Sequence, residues 1–99
     1  MVRTQDNAQF HAVATVLVVI GGWAIKLGPG EWCWIIAAVG GVWAAEALNT
    51  AVELVCDAAC PEFHLLIGRA KDVAAGGVLV TACAAIGIAS CIFIPHIYG

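Results

Sequence analysis

The sequence has little charge, and above all little positive charge. Only 11% of its 99 residues are charged and only four are Lys or Arg, which gives a net charge of −3. Binding to a nucleic-acid backbone requires a basic patch, so no nucleic-acid partner is expected. Soluble domains contain about 25% charged and about 45–50% apolar residues, whereas 63% of this chain is hydrophobic. This composition excludes an ordinary soluble domain and favours a lipid environment.

Proline is also scarce, and the cysteines do not suit a disulfide framework. The five cysteines are an odd number, and three of them lie in strongly apolar runs. The sequence lacks a Cys/His cluster with the ligand spacing of a zinc site. We therefore interpret the cysteines as small packing residues.

Long hydrophobic runs are the main feature that the sequence does have. We predict a single domain over residues 1–99, an all-α membrane protein with three transmembrane helices at about 10–27, 32–56 and 62–94. Each run is close to the ~20 residues that cross a bilayer core as a helix, and none shows the alternation of a membrane barrel strand. Three spans alone form a thin bundle, so we expect an oligomer.

The breaks between the runs predict the connections. We expect a turn at Gly28–Glu31, where glycine permits a positive φ, and a helix end near Pro61. Pro95 is expected to close the third helix. Positive residues near helix ends favour the cytoplasm, and three of the four lie before the first helix or between the second and third. The N-terminus is therefore predicted to be cytoplasmic.

A row of polar side chains follows one face of the second predicted helix. At about 100° per residue, Asn49, Thr50, Glu53 and Asp57 all fall within about 60° of Glu46. Ionisable groups at membrane depth are costly and usually mark a functional site, which we predict for Glu46 and Glu53. Asn49 and Thr50 could equally hydrogen-bond a neighbouring helix, and Asp57 could be solvated at the membrane interface.

This row of residues suits phosphoryl transfer at a membrane surface. Glu53 could bind Mg²⁺, which takes a few carboxylate oxygens and leaves other positions for water or phosphate. Glu46 lies two turns, about 10 Å, deeper, where burial would strengthen it as a general base toward a lipid hydroxyl. Lys71 and Asp72 could hold polyphosphate charge and a second metal contact. The sequence contains neither a P-loop nor a protein-kinase glycine loop.

Three segments together resemble the prokaryotic diacylglycerol kinase family, which includes the undecaprenol kinases. They are E-A-L-N-T-A-V-E-L-V-C-D from Glu46, P-E-F-H from Pro61, and A-K-D-V-A-A-G from Ala70. The resemblance covers roughly residues 5–95. It implies a homotrimeric enzyme of the bacterial inner membrane, with three transmembrane helices per subunit and sites between subunits. Such an enzyme transfers the γ-phosphate of MgATP to diacylglycerol or undecaprenol.

The resemblance also implies roles for individual residues. Glu46 would be the catalytic base, Asn49 would support the site, and Glu53 would bind the metal ion. The residues that would contact the nucleotide are Glu53, Glu62, Phe63, His64, Lys71 and Asp72.

Two features depart from the family pattern. Gln5 stands where the family has another metal-binding glutamate, and a neutral amide is a poorer Mg²⁺ ligand. The chain also begins after the amphipathic surface helix that is usual in the family, although Asn7 and His11 match an N-x-x-x-H pattern of many members. Because of these departures, a catalytically impaired homologue is an alternative interpretation of the sequence. The polar row taken alone also leaves open a small ion- or proton-conducting membrane protein.

Overall fold

Three helices account for most of the chain. The structure is a computed structural model that describes the backbone of residues 4–60, 62 and 64–98, and the side chains of this part from Gln9 onward. Helix α1 spans Thr4–Ala24, α2 spans Pro29–Ala59 and α3 spans Leu65–Tyr98. No strand occurs within these residues. The predicted all-α class is confirmed.

The first connection lies earlier in the chain than the turn expected at Gly28–Glu31. Leu27 N–H donates to the carbonyl of Gly22 at 3.1 Å. Lys26 N–H donates to the carbonyl of Trp23 at 3.2 Å, and together these bonds form a Schellman motif. Its left-handed residue is Lys26, with φ of 58°, and no glycine in the described part of the chain has a positive φ. The prediction of a turn at Gly28–Glu31 was wrong, because the turn lies before Gly28 and its left-handed residue is Lys26 instead of a glycine.

Residues 28–31 instead begin α2. Gly28 is the N-cap residue, with φ of −77° and ψ of 168°, and Pro29 lies in the first turn. Proline suits this place because its φ is already helical and its missing N–H would have had no partner there. The Glu31 carboxylate accepts a hydrogen bond from Gly28 N–H at 3.2 Å, which satisfies a donor that the helix itself leaves unpaired.

Gly22 is required by close packing at this connection. A Cβ atom added to it would lie 2.9 Å from Leu27 Cδ1 and 2.9 Å from Trp32 Cη2. We expect Gly22→Ala to lower the free energy of unfolding by about 1–3 kcal/mol, as overpacking usually does. Unfolding in a graded denaturing detergent measures this loss. Gly30→Ala is the matched control, since a Cβ there meets nothing within 4 Å. Equal stability of the two variants would contradict the packing described here.

Helix α3 starts and ends later than the predicted range of 62–94. His64 lies before its first turn, and His64 Nδ1 accepts a hydrogen bond from Leu66 N–H at 3.1 Å. At the other end, Pro95 lies inside the helix, which continues to Tyr98. The expectation that Pro95 closes the helix was wrong because the φ of proline matches a helix. Only the single bond to the carbonyl one turn earlier is lost.

Helices α2 and α3 are long and apolar enough to cross a membrane. Their 31 and 34 residues correspond to about 46 and 51 Å at about 1.5 Å per residue, which exceeds the ~30 Å hydrocarbon core. The pair therefore extends beyond the core at one or both ends. The apolar part of α1, Gln9–Ala24, is shorter, so a third crossing stays a prediction.

Apart from Leu27 in the α1–α2 connection, the buried side chains of the described region follow a single stripe on α2. The stripe consists of Ile35, Ala38, Val42, Glu46, Asn49 and Cys56, with the spacing of three or four residues that marks one helix face. By contrast, α3 has no buried residue, and large apolar side chains such as Leu79 and Val80 are 66% and 71% exposed. The single chain thus buries two polar side chains, Glu46 and Asn49, and exposes many large apolar ones, as expected for a protein in lipid.

Contacts between the helices show that consecutive helices are antiparallel. His11 meets Glu46 and a Cβ on Gly22 would meet Trp32, so α1 and α2 run in opposite directions. Lys71 meets Asp57 and His96 meets Glu31, which gives the same relation for α2 and α3. The start of α1 and the α2–α3 connection therefore lie at one end of the bundle. We call it the loop end.

Candidate active site

Glu46 and Asn49 are the two buried polar residues of the described region. Each is only 4% exposed, as the position of the polar row on α2 predicted. Neither carboxylate oxygen of Glu46 accepts a hydrogen bond from a described residue, and neither does Asn49 Oδ1. Buried acceptors without donors are rare and costly. Their presence indicates that these oxygens are held ready for a group that the described residues do not supply.

His11 is the neighbour of Glu46 that the prediction did not place in the site. Its Nε2 lies 3.4 Å from Glu46 Oε2, and the two side chains are 11% and 5% exposed. This is an ion-pair distance, but the orientation does not make a hydrogen bond, since both Glu46 oxygens stay unbonded. The sequence offered one weak signal, the match of His11 to the N-x-x-x-H pattern. Nothing in the sequence specified which residue of α1 faces Glu46.

A second contact fixes α1 against α2 one turn away. Trp43 Nε1 donates to Thr15 Oγ1 at 3.0 Å, and the Thr15 hydroxyl donates to the carbonyl of His11 at 2.7 Å. The rings of His11 and Trp43 also meet edge to face, with centroids 6.1 Å apart. These contacts limit the positions that the imidazole can take beside the carboxylate.

The polar row continues from Asn49 toward the loop end. Asn49 Nδ2 donates to Glu53 Oε1 at 3.2 Å, and Glu53 is half-buried. The Thr50 hydroxyl donates to the main-chain carbonyl of Glu46 at 2.9 Å, a contact within α2 and not the bond to a neighbouring helix that the structural alternative for Thr50 expected. Asn49 is therefore bonded to the glutamate nearer the surface and makes no hydrogen bond to the Glu46 carboxylate.

Asp57 and Lys71 close the row at the loop end. Lys71 Nζ lies 2.6 Å from Asp57 Oδ1 and donates to it, which joins α2 to α3. The Lys71 side chain is 37% exposed and that of Asp57 is 66% exposed. An ion pair this open to solvent is weak, so an incoming anion can replace the carboxylate on the lysine.

The remaining predicted nucleotide residues lie around the α2–α3 connection. Glu62 and Asp72 are exposed, and the Glu62 carbonyl accepts a contact from Cys60 Sγ at 3.4 Å. The Nδ1 atom of His64 is engaged at the start of α3, which leaves Nε2 for other partners. Phe63 lies outside the described residues, and so does the side chain of Gln5.

An open groove of about 620 Å³ lies between α2 and α3 beside the polar row. Its walls are mainly apolar, with the Asn49 amide in one wall and Arg69 in the other. Its lining includes Leu48, Asn49 and Val52 on α2, and Leu66, Arg69 and Val73 on α3. A groove with these walls suits a hydrocarbon chain whose polar end meets Asn49.

The donor set suits a magnesium ion that arrives with a nucleotide. Within the part of the chain with described side chains, no three His, Cys, Asp or Glu residues cluster closely enough to hold a metal ion. Mg²⁺ does not need such a cluster, because one or two carboxylates can hold it while phosphate and water complete its coordination. Glu53 is a half-buried carboxylate of this kind.

Comparisons with known proteins identify the family of the chain. The family described as prokaryotic diacylglycerol kinase matches residues 1–93. An undecaprenol kinase of Bacillus subtilis is 41% identical over 95 residues, which cover 96% of this chain and 77% of the relative. A diacylglycerol kinase of Escherichia coli is 34% identical over 89 residues, which cover 90% of this chain and 72% of the relative.

A diacylglycerol kinase of Synechocystis sp. is 33% identical over 93 residues, which cover 93% of this chain but only 53% of the relative. No solved structure matches the chain at the same level of significance. The family match spans nearly the whole chain, and it agrees with an all-helical structure that carries a polar row between apolar faces. The chain belongs to the prokaryotic diacylglycerol kinase family of lipid kinases.

Proposed function

We propose that the protein transfers the γ-phosphate of MgATP to the hydroxyl group of a membrane lipid alcohol. A lipid kinase uses a nucleotide as phosphoryl donor and a lipid as acceptor. The observation that carries the proposal for this chain is the buried Glu46 carboxylate, whose two oxygens accept no hydrogen bond from any described residue. Such a group, one helical turn from the Asn49 amide in the groove wall, is suited to receive a proton from a hydroxyl.

The proposed reaction is a direct displacement. The lipid oxygen forms a bond to the γ-phosphorus, the bond from that phosphorus to the β–γ bridging oxygen breaks, and ADP leaves. The hydroxyl proton passes to Glu46. Phosphoryl transfer depends mainly on positioning and on neutralising charge, so most of the site would act on the nucleotide.

Glu53 and Asn49 support this assignment from the next turns of α2. Glu53 would hold the Mg²⁺ of the nucleotide, and a bound Mg²⁺ neutralises charge on the phosphates. The hydrogen bond that Asn49 donates to Glu53 fixes the direction in which that carboxylate points. The Asn49 Oδ1 atom, which accepts no hydrogen bond from a described residue, is then available to the lipid hydroxyl or its headgroup.

The loop end would bind the rest of the nucleotide. Lys71 is the cation nearest the polar row, and its exposed pairing with Asp57 can be exchanged for a phosphate. Asp72 and the connection residues Glu62, Phe63 and His64 would contact the nucleotide around it. Gln5 would add a second, weaker contact to the metal ion.

Assembly and location are also proposals. The exposed apolar faces of α2 and α3 are suited to lipid and to other copies of the chain, and we propose a homotrimer. We also propose the bacterial inner membrane, crossed by all three helices, with the N-terminus and the loop end in the cytoplasm, where ATP is found.

Undecaprenol is our proposed acceptor in preference to diacylglycerol. The identity of 41% to a protein named undecaprenol kinase exceeds the 34% to the Escherichia coli protein named diacylglycerol kinase. We expect at least a tenfold higher kcat/KM with undecaprenol, a difference of about 1.4 kcal/mol in transition-state binding. The assay measures labelled lipid phosphate from each alcohol, in bilayers with MgATP. A preference for diacylglycerol would overturn this choice.

The same assay separates the remaining alternatives. Formation of neither lipid phosphate by well-folded protein would favour an impaired homologue. Cation or proton flux in sealed vesicles without nucleotide would favour a conducting protein.

A further inference from the structure

The neighbour of Glu46 on α1 has no part in the function proposed so far. His11 Nε2 lies 3.4 Å from Glu46 Oε2, and both side chains are almost completely buried. Among the described residues, His11 is the only Lys, Arg or His side chain within ion-pair distance of this carboxylate. A packing contact would be made equally well by an apolar ring, so the nitrogen beside the carboxylate calls for an explanation.

We propose that His11 is a positioning residue for Glu46 in phosphoryl transfer. The inference rests on the proposed role of Glu46 as the base. In the unreacted site the imidazole limits the positions of the carboxylate, which lies on α2 one turn from Asn49 in the groove wall. When the lipid hydroxyl gives its proton to Glu46, a small shift and rotation of the ring brings Nε2 into hydrogen-bonding geometry with the carboxyl group. Catalytic hydrogen bonds are often long before substrate binds.

The surroundings of His11 hold the ring where this role needs it. Trp43 contacts it edge to face, and the bond from Trp43 Nε1 to Thr15 keeps α1 in register with α2. The ring therefore cannot turn far from Glu46 without breaking a contact between the two helices. A side chain held on two sides, with its Nε2 atom 3.4 Å from a buried carboxylate, has the features of a group that orients a catalytic base.

The nearly complete burial of the pair makes its loss measurable. The interaction of a buried carboxylate with a polar partner is not weakened by solvent as a surface pair is. Replacing the imidazole with an aromatic ring that has no nitrogen should therefore lower the rate of the chemical step. Substrate binding should change little, because His11 does not contact the groove or the loop end.

The test compares two substitutions at His11 with one control substitution at another histidine that faces a carboxylate. His11→Phe keeps an aromatic ring and removes both nitrogens, whereas His11→Gln keeps an N–H that can reach Glu46. The control is His96→Gln, which changes a histidine that also faces a carboxylate, Glu31 at 2.8 Å, but at the opposite end of the molecule. Each variant is assayed in bilayers for kcat, for KM of MgATP and lipid, and for unfolding in graded detergent.

We expect His11→Phe to lower kcat by about 10- to 100-fold, with both KM values within about twofold of the original. His11→Gln should recover at least a third of the original kcat, and His96→Gln should leave kcat unchanged. In a chain that already carries Glu46→Gln, His11→Phe should cause little further loss, because residues acting as one unit are not additive.

Two outcomes would overturn the inference. One is an unchanged kcat in His11→Phe. The other is an equal loss of kcat in His11→Phe and His11→Gln, with stability lowered in both, which would mean that His11 only packs. Failure of the underlying function is distinguishable, since the original protein would then form no lipid phosphate. Failure of the base role would leave Glu46→Gln fully active, whereas failure of this inference alone leaves Glu46→Gln inactive.

Discussion

Replacing Glu46 with glutamine is expected to lower kcat by about 10²- to 10⁴-fold. The amide has the size of the carboxylate but cannot take the proton of the lipid hydroxyl, and general base catalysis contributes about this factor. The KM for MgATP should stay within about twofold, because Glu46 lies two turns from Glu53 and farther still from the loop end. Steady-state kinetics with a lipid alcohol in bilayers measures both constants.

The same substitution should not destabilise the fold. The Glu46 carboxylate is 4% exposed and accepts no hydrogen bond from a described residue, so it is an unfavourable group to bury. Unfolding in graded detergent should show equal or higher stability for Glu46→Gln. Glu31→Gln on the same helix is the matched control and should keep full activity. A fall in both activity and stability would assign Glu46 a structural role instead.

Replacing Lys71 with methionine is expected to raise the KM for MgATP by about 10- to 100-fold. Lys71 is the cation nearest the polar row, and loss of a charge-assisted hydrogen bond to a phosphate has about this effect. Its present partner, Asp57, is 66% exposed, so the chain loses little stability when the pair is removed. The KM for the lipid should change by less than about threefold.

Arg69→Met is the control for net charge in this second experiment. Arg69 lies two residues from Lys71 on α3 and is exposed, so the two variants lose the same charge at the same end of the molecule. We expect the effect of Arg69→Met on the KM for MgATP to be less than about threefold. Equal effects of the two variants would mean that general positive charge attracts the nucleotide, and no effect of either would remove Lys71 from the nucleotide site.

The polar row of α2 could be predicted because it depends on helix geometry alone. Side chains three, four and seven residues apart share one face whatever the rest of the chain does. The structure confirms that Glu46 and Asn49 face inward together. It also shows a gradient of burial that the helical angles of the side chains did not predict, since Glu53 is half-buried and Asp57 is exposed. Burial along the row falls toward the loop end.

The partner of Glu46 could not be predicted because it depends on how two helices pack. The sequence places His11 in the first helix, but its meeting with Glu46 depends on the length and shape of the connection. That connection was itself mispredicted, since the Schellman turn places its left-handed residue at Lys26. The sequence therefore did not determine where α1 ends and α2 begins, and so did not determine which residue of α1 lies opposite Glu46.

The pairing of Asp57 with Lys71 could not be predicted for the same reason, because it also depends on how two helices pack. The sequence predicts phosphate binding for Lys71 and allows Asp57 to be solvated at the membrane interface, but it does not predict their contact. Their 2.6 Å contact follows from the antiparallel packing of α2 and α3 around the α2–α3 connection. A salt bridge between helices is a property of the packed pair, and neither helix contains the information alone.

Transfer of labelled γ-phosphate to a lipid alcohol is the most direct measurement of the central claim. The original protein and Glu46→Gln are assayed side by side in bilayers with MgATP, in a single turnover. The account predicts labelled lipid phosphate from the original protein, and formation about 10²- to 10⁴-fold slower from Glu46→Gln. Equal rates of lipid phosphate formation by the two proteins would contradict it.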